Sequence, residues 1–218
     1  MVTIKNFCFN LFYENTYLLF DETKECIIID PGCSDSSEEQ VLKEFISLKG
    51  LMPVMLINTH AHVDHVFGNN FVYQAYKLLP VLHRNEIAIL EAAPAAGANW
   101  GVEVHPSPSP VKFIEEGDTI KFGNSVLEII FTPGHSPGSV CLYNKEQAFV
   151  IGGDVLFRGS IGRTDLPGGD HQALLQSIRQ KLFHLGDDTI VYPGHGPETT
   201  VGYERKYNPF VGLNATDY

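Results

Sequence analysis

The stretch 59-THAHVDHVFG-68 places His60, His62, Asp64 and His65 within six positions, where the apolar run Pro53 to Ile57 gives way to a turn and a glycine. The run before it reads as a buried strand. On a strand, His60 and His62 project to one face, and a turn just beyond the strand end can bring Asp64 and His65 round to the same pocket. Imidazole and carboxylate are ligands that zinc, iron(II) and manganese(II) accept from a protein. A lone histidine is more often structural, but four ligand types packed at a strand end point to a metal site.

Working outward, three further stretches put glycine beside a ligand type at the end of a predicted strand. They are Thr132-Pro133-Gly134-His135-Ser136, Ile151-Gly152-Gly153-Asp154 and Tyr192-Pro193-Gly194-His195-Gly196. Glycine lets the backbone turn sharply and bring a side chain close to a shared centre. Taken singly, each is only a turn.

The rest of the pattern supplies the frame. Strands are predicted at Ile4 to Phe9, Thr16 to Phe20 and Cys26 to Asp30, with polar turns at Tyr13-Glu14-Asn15 and Asp21-Glu22-Thr23. A helix is predicted from Ser37 to Lys49, ended by Gly50, and others over Asn69 to Leu78 and Arg84 to Glu91, separated by a short strand at Pro80 to Leu82. Residues 92–110, AAPAAGANWGVEVHPSPSP, read as a long irregular loop around Trp100, of a kind that can cover an active site. The second half repeats the rhythm, with strands near Thr119 to Lys121, Val126 to Phe131, Ser139 to Tyr143 and Ala148 to Ile151, a helix over Gln172 to Phe183, and a strand at Thr189 to Tyr192. Two β-rich halves that each finish in helix imply an α/β protein and suggest an αββα sandwich of two facing mixed sheets with helices outside, one of several α/β arrangements the pattern allows, in a single domain over residues 1–218.

Composition narrows the function classes. The chain has 218 residues, 44% of them hydrophobic, enough for a substantial core. Its net charge of −11 argues against nucleic-acid partners, because it repels phosphate backbones. Cys8, Cys26, Cys33 and Cys141 form no CxxC pair, so reduced thiols in the cytoplasm are expected rather than a disulfide framework. No basic segment precedes a hydrophobic stretch at the N-terminus, so neither an export signal nor membrane association is expected. Oligomeric state is left open.

With HxHxDH at 60–65, His135, Asp154 and His195 in this order, the chain resembles the metallo-β-lactamase superfamily over nearly its whole length. The resemblance implies two divalent ions, zinc by preference with iron or manganese as alternatives. One would be held by His60, His62 and His135, the second by Asp64, His65 and His195, with Asp154 bridging both. Asp30, closing CIIIDPG, would support a ligand without being one. Such a pair of ions makes a bridging hydroxide available near neutral pH, so no Ser or Cys nucleophile is needed. Asp64 is the candidate for orienting that water. His83, His105, His171 and His184 have no motif around them and read as surface or structural.

Within the superfamily, Asp154 stands where the antibiotic-hydrolysing branch uses a cysteine. The run Gly153 to Phe157 followed by RGSIGRTDLPGGD, and the closing GHGPETTVGYERKYNPF, is similar to short bacterial members of the glyoxalase II-like group. That likeness implies hydrolysis of glutathione thioesters, S-2-hydroxyacylglutathione, with Arg163 and Arg158 contacting the small-molecule substrate. Longer members add a helical domain that supplies glutathione contacts. Tyr203, Arg205, Lys206 and the loop around Trp100 are this chain's own candidates for that duty. GRTD at 162–165 also resembles iron-dependent persulfide dioxygenases, the alternative reading, and a lactonase-like hydrolase is a further one.

Overall fold

A computed structural model describes residues 1–213 and 215. By contacts the chain falls into two compact units, residues 1–114 with 120–126 and residues 115–119 with 127–218.

The first unit begins with β1 (Thr3–Phe9), β2 (Glu14–Phe20) and β3 (Glu25–Ile29), then α1 (Ser36–Lys49) and β4 (Met52–Ile57). There follow α2 (Val63–Val66), α3 (Asn69–Tyr76), β5 (Pro80–Leu82), α4 (Ile87–Asn99) and β6 (Lys112–Phe113). One six-stranded sheet takes them in the order β1-β2-β3-β4-β5-β6, antiparallel as far as β3 and parallel from β3 onward. Cys26 to Ile29 are wholly buried, the continuous apolar pattern of a strand covered on both faces. Leu42 and Ile46 of α1 join Leu18, Ile28, Leu56 and Val72 in one cluster. Asp35 caps α1 by accepting from the amides of Ser37 and Glu38, and Gly50, at φ 61, closes it.

The second sheet takes β7 (Thr119–Phe122), of which residues 120–122 belong to the first unit, then β8 (Ser125–Phe131), β9 (Val140–Asn144) and β10 (Phe149–Gly153), followed by the hairpin β11 (Leu156–Phe157) and β12 (Ser160–Ile161). After these come α5 (His171–Gln180), β13 (Ile190–Pro193), β14 (Thr199–Thr200) and α6 (Val201–Tyr207). The sheet runs β14-β13-β10-β9-β8-β7, and β10 pairs with β13 in parallel. Leu174 and Ile178 of α5 pack with Val150, Val191 and Val201 in its core. Two mixed six-stranded sheets with helices are thus present, as the order of elements predicted.

Three local expectations are corrected. The helix predicted to stop at Glu91 runs to Asn99, through Pro94 and half of the expected loop. Pro94 costs one backbone bond, but Leu90, Ala93 and Gly97 are buried. A Cβ on Gly97 would stand 2.2 Å from Val104 Cγ2, so packing overrides the breaker. The irregular segment is therefore only residues 102–110, and Ser107 fastens it by accepting from Asn69 Nδ2 at 2.9 Å. Glu14 and Asn15 lie in β2 rather than in a turn, which sits at residues 10–13. The predicted helix over Gln172 to Phe183 ends at Gln180, and Leu182–His184 is a 3₁₀ turn. The short α6 escaped the periodic pattern because seven residues are too few to show one.

Burial pushes the thiols of Cys26 and Cys141 up to about 12, so both remain protonated and unreactive at neutral pH. No helix among the described residues is long and apolar enough to cross a membrane.

A buried carboxylate ties two turns of the first unit. Asp21 accepts from the Thr23 amide and hydroxyl, the Asn124 amide and the Ser125 hydroxyl. Burial opposes its ionisation, but these hydrogen bonds outweigh it and bring the carboxyl from 3.8 down to about 2. The stabilisation is therefore fully present above about pH 4 and fades as pH falls toward 2. Asp21→Asn should cost about 2 kcal/mol at pH 7 and flatten the acid limb of stability between pH 4 and 2. Denaturant melts of both proteins across that range check this.

Candidate metal centre

In the first unit, the ends of β3 and β4 meet. The backbone at Asp30 turns left-handed, φ 47, a conformation that costs a non-glycine residue about 1 kcal/mol but that aspartate tolerates. Its amide donates to the Ile57 carbonyl at 2.9 Å. Asp30 Oδ1 accepts from the Thr59 amide at 2.7 Å, and Oδ2 accepts from Thr59 Oγ1 at 2.5 Å and lies 3.1 Å from His65 Nδ1. A carboxylate only accepts, so His65 Nδ1 carries the proton. Thr59, having given its hydrogen to Asp30, accepts from His60 Nδ1 at 3.1 Å. Both rings therefore hold the lone pair on Nε2, the tautomer that binds a metal. Donor atoms of Asp30, His60 and His65 lie within 4.8 Å of one another. The His60 ring is edge-on to His62, centroids 4.8 Å apart, and 4.1 Å from the His65 ring.

The backbone of the motif is held from below. Glu86, fully buried, accepts from the Ala61 amide at 2.7 Å. Asn58 Nδ2 donates to the His65 carbonyl at 3.0 Å, and Asn10 Nδ2 donates to both Gly32 O and Asp64 O. A Cβ on Gly32 would fall 2.0 Å from Glu14 Oε2, so only glycine allows this crowding. Glu14 is fully buried, with Oε1 3.9 Å from His65 Nδ1. Burial pushes its carboxyl well above the usual carboxylate range, with His65 opposing.

In the second unit, Gly134 adopts φ 137 and packs against α5, where a Cβ would overlap the Leu174 backbone nitrogen at 2.2 Å. The Asp170 amide donates to Gly134 O, and Ser177 Oγ to Pro133 O, so α5 grips the loop that presents His135. His135 Nδ1 donates to the Arg163 carbonyl at 2.7 Å, which again leaves the lone pair on Nε2. Asp154 follows β10 and His195 follows β13, two parallel neighbours. Asp154 Oδ2 lies 3.5 Å from Nε2 of His135 and 3.5 Å from Nε2 of His195. That exceeds a hydrogen bond and suits two donors sharing an ion, whose atoms stand about 3.4 Å apart when each is about 2.1 Å from a tetrahedral metal. The donor set, imidazole and carboxylate with tautomers fixed, fits a divalent ion.

Of the residues expected at the site, His60, His62, Asp64, His65 and Asp30 thus lie together in the first unit, and His135, Asp154 and His195 in the second. Arg163 is exposed and bidentate to Asp165, 2.7 Å for each bond. Arg158 is exposed above the Tyr203 ring. Sequence reading missed Asn10, Glu14, Asn58 and Glu86. The only signal for Asn10, Glu14 and Asn58 was a polar residue inside or at the end of an apolar strand, and Glu86, in a 3₁₀ turn, carried none. His83, without a motif, caps a 3₁₀ turn by accepting from the Asn85 amide.

The family described as the metallo-beta-lactamase superfamily matches residues 10–195. The chain is 43% identical over 200 residues to a probable metallo-hydrolase, YqgX, of Bacillus subtilis (strain 168), covering 90% of this chain and 92% of that one. It is 36% identical over 203 residues to the hydroxyacylglutathione hydrolase GloC of Haemophilus influenzae, 92% and 93% covered. The crystal structure of TTHA1623 in a di-iron-bound form superposes with a TM-score of 0.85 at 40% identity, 94% of this chain and 99% of that one.

Asp30→Asn would put an amide where both Thr59 and His65 need an acceptor. Metal affinity, read by competition with a chromogenic chelator, should fall about 10- to 100-fold. Unchanged affinity would remove Asp30 from this role.

Proposed function

The chain belongs to the metallo-beta-lactamase superfamily and is a metallo-hydrolase of it, and from that premise we propose that it hydrolyses glutathione thioesters of the S-2-hydroxyacylglutathione type at a two-metal centre. The observation that carries the reading is Asp154 Oδ2, equidistant at 3.5 Å from two imidazole Nε2 atoms. The di-iron-bound relative supports two ions, and the GloC relative supports the substrate class. The proposed ligands are His60, His62 and His135 for one ion, Asp64, His65 and His195 for the other, and Asp154 for both. Zinc and iron both suit the donors.

Bound ions would polarise the thioester carbonyl and lower the pKa of a water. The protein's share is orientation. Asp30 and the Arg163 carbonyl hold His65 and His135 in one tautomer and one ring plane, so neither ring must reorganise when charge develops. Asp64, carried on α2, is assigned to orient the attacking water. Thiolate is a good leaving group, so a residue that protonates it is not required. The small-molecule substrate and a cytoplasmic setting belong to the same proposal.

The test is release of glutathione from S-lactoylglutathione by protein with measured metal content. Asp154→Ala, or removal of metal by a chelator, should cut the rate by about 1,000-fold or more. A wild-type rate equal to buffer, with two ions bound per chain, overturns the proposal. Oxygen uptake with glutathione persulfide, accompanied by one iron per chain, would establish the dioxygenase reading instead.

A further inference from the structure

Beyond Asp154 lies an arrangement that metal binding does not use. In the hairpin, Leu156 pairs with Ile161 and Phe157 with Ser160, so Arg158 and Gly159 form its tip. The Phe157 ring stands edge-on to the His195 imidazole, centroids 6.4 Å apart. Arg158 is thus one residue from a ring in contact with a proposed metal ligand.

The tip is clamped to α6. Gly159, at φ 70, donates its amide to Glu204 Oε2 at 2.9 Å, and Asn208 Nδ2 donates to Ser160 O and to Glu204 Oε2. Thr199 Oγ1 donates to Glu204 Oε1 at 2.5 Å. Glu204 and Asn208 are buried, so the hairpin tip is fixed rather than a loose loop end. On the exposed side of α6, Tyr203 is 44% exposed and lies under the Arg158 guanidinium, 5.9 Å from the ring centroid. The Tyr207 ring packs 5.2 Å from it.

The arginines around this surface differ in one respect. Arg163 is forked by Asp165, and Arg205 is paired with Asp187 at 2.6 Å. Arg158 has no carboxylate within ion-pair distance among the described residues, in a chain of net charge −11. A guanidinium held over an aromatic ring and not already paired is a ready partner for a carboxylate.

We infer that Arg158, seated on Tyr203 and fixed by Glu204, is the specificity determinant that selects substrates whose thiol portion carries a carboxylate. Arg163 acts elsewhere, through its backbone carbonyl on His135. The inference rests on the thioesterase reading and assigns the substrate's anionic arm within it. Tyr203 and Glu204 are positioning residues: one presents the guanidinium, the other holds the turn that carries it.

The test is calorimetric binding to the metal-loaded protein, with S-methylglutathione, which cannot be hydrolysed, and its diethyl ester, which lacks both carboxylates. Wild type should bind the free acid about tenfold or more tighter than the ester. Arg158→Gln, a surface change that leaves the clamp intact, should bring the two affinities within about twofold. Arg163→Gln should keep the discrimination, and Tyr203→Leu should lose about threefold of it. The inference is overturned if Arg158→Gln still discriminates, if Arg163→Gln abolishes discrimination, or if wild type shows none. Glutathione release by the wild type is measured separately, so discrimination retained in Arg158→Gln with intact wild-type turnover refutes only the role of Arg158, whereas absent turnover refutes the thioesterase reading.

Discussion

The carboxylate of Asp30 is the constraint from which the first unit's half of the candidate centre follows. It is nearly fully buried and satisfied by the Thr59 amide, the Thr59 hydroxyl and His65 Nδ1. A buried charge left with fewer partners would cost several kcal/mol, so the position of Asp30 dictates where Thr59 and His65 sit. Through the Thr59 hydroxyl it also dictates which nitrogen of His60 bears the proton. One side chain at the end of β3 thereby sets the chemistry of two histidines that follow β4. The left-handed backbone at Asp30 is the local cost of aiming that carboxylate, and the amide bond to Ile57 O secures it.

The second unit reaches the same result by another route. There the partner of the imidazole is a main-chain carbonyl, Arg163 O, and the loop carrying it comes close only because Gly162 has no side chain. A Cβ at Gly162 would lie 2.0 Å from Asp154 O and 3.0 Å from His135 Nδ1. Gly134 does the same work against α5. Glycines in these motifs therefore serve close approach of backbone segments as well as turning. The two devices, a buried carboxylate and a crowded carbonyl, both fix a tautomer before any ion arrives, which lowers the reorganisation that binding requires.

Much of this was legible beforehand. HxHxDH, PGH, GGD and the second PGH are visible because ligand-type residues sit next to glycine at strand ends, and parallel strands collect functional groups at their carboxyl ends. The longer strands were legible to within a residue or two, because runs such as Cys26 to Ile29 and Leu56 to Ile57 are apolar at every position, whereas the two-residue strands β6, β11, β12 and β14 are too short to show a period and were not expected. Glu14 was misread as a turn residue, since a charged side chain inside a strand contradicts the pattern unless its burial is known. The end of α4 was misread because Pro94 is a local signal, while the Gly97–Val104 contact that overrides it is not.

The sequence by itself determined the donor chemistry and the α/β class, because these depend on residue types and on periods of two and 3.6 read along the chain, and the order of its motifs carried the resemblance to the family. Only the tertiary structure decided the tautomers of His60, His65 and His135, the support from Glu86 and Asn10, and the pairing of Arg163 with Asp165. The Ala61–Glu86 and Asn10–Asp64 bonds join residues 25 and 54 positions apart. Hydrogen bonds at such separations depend on strand order and register, which no local pattern encodes.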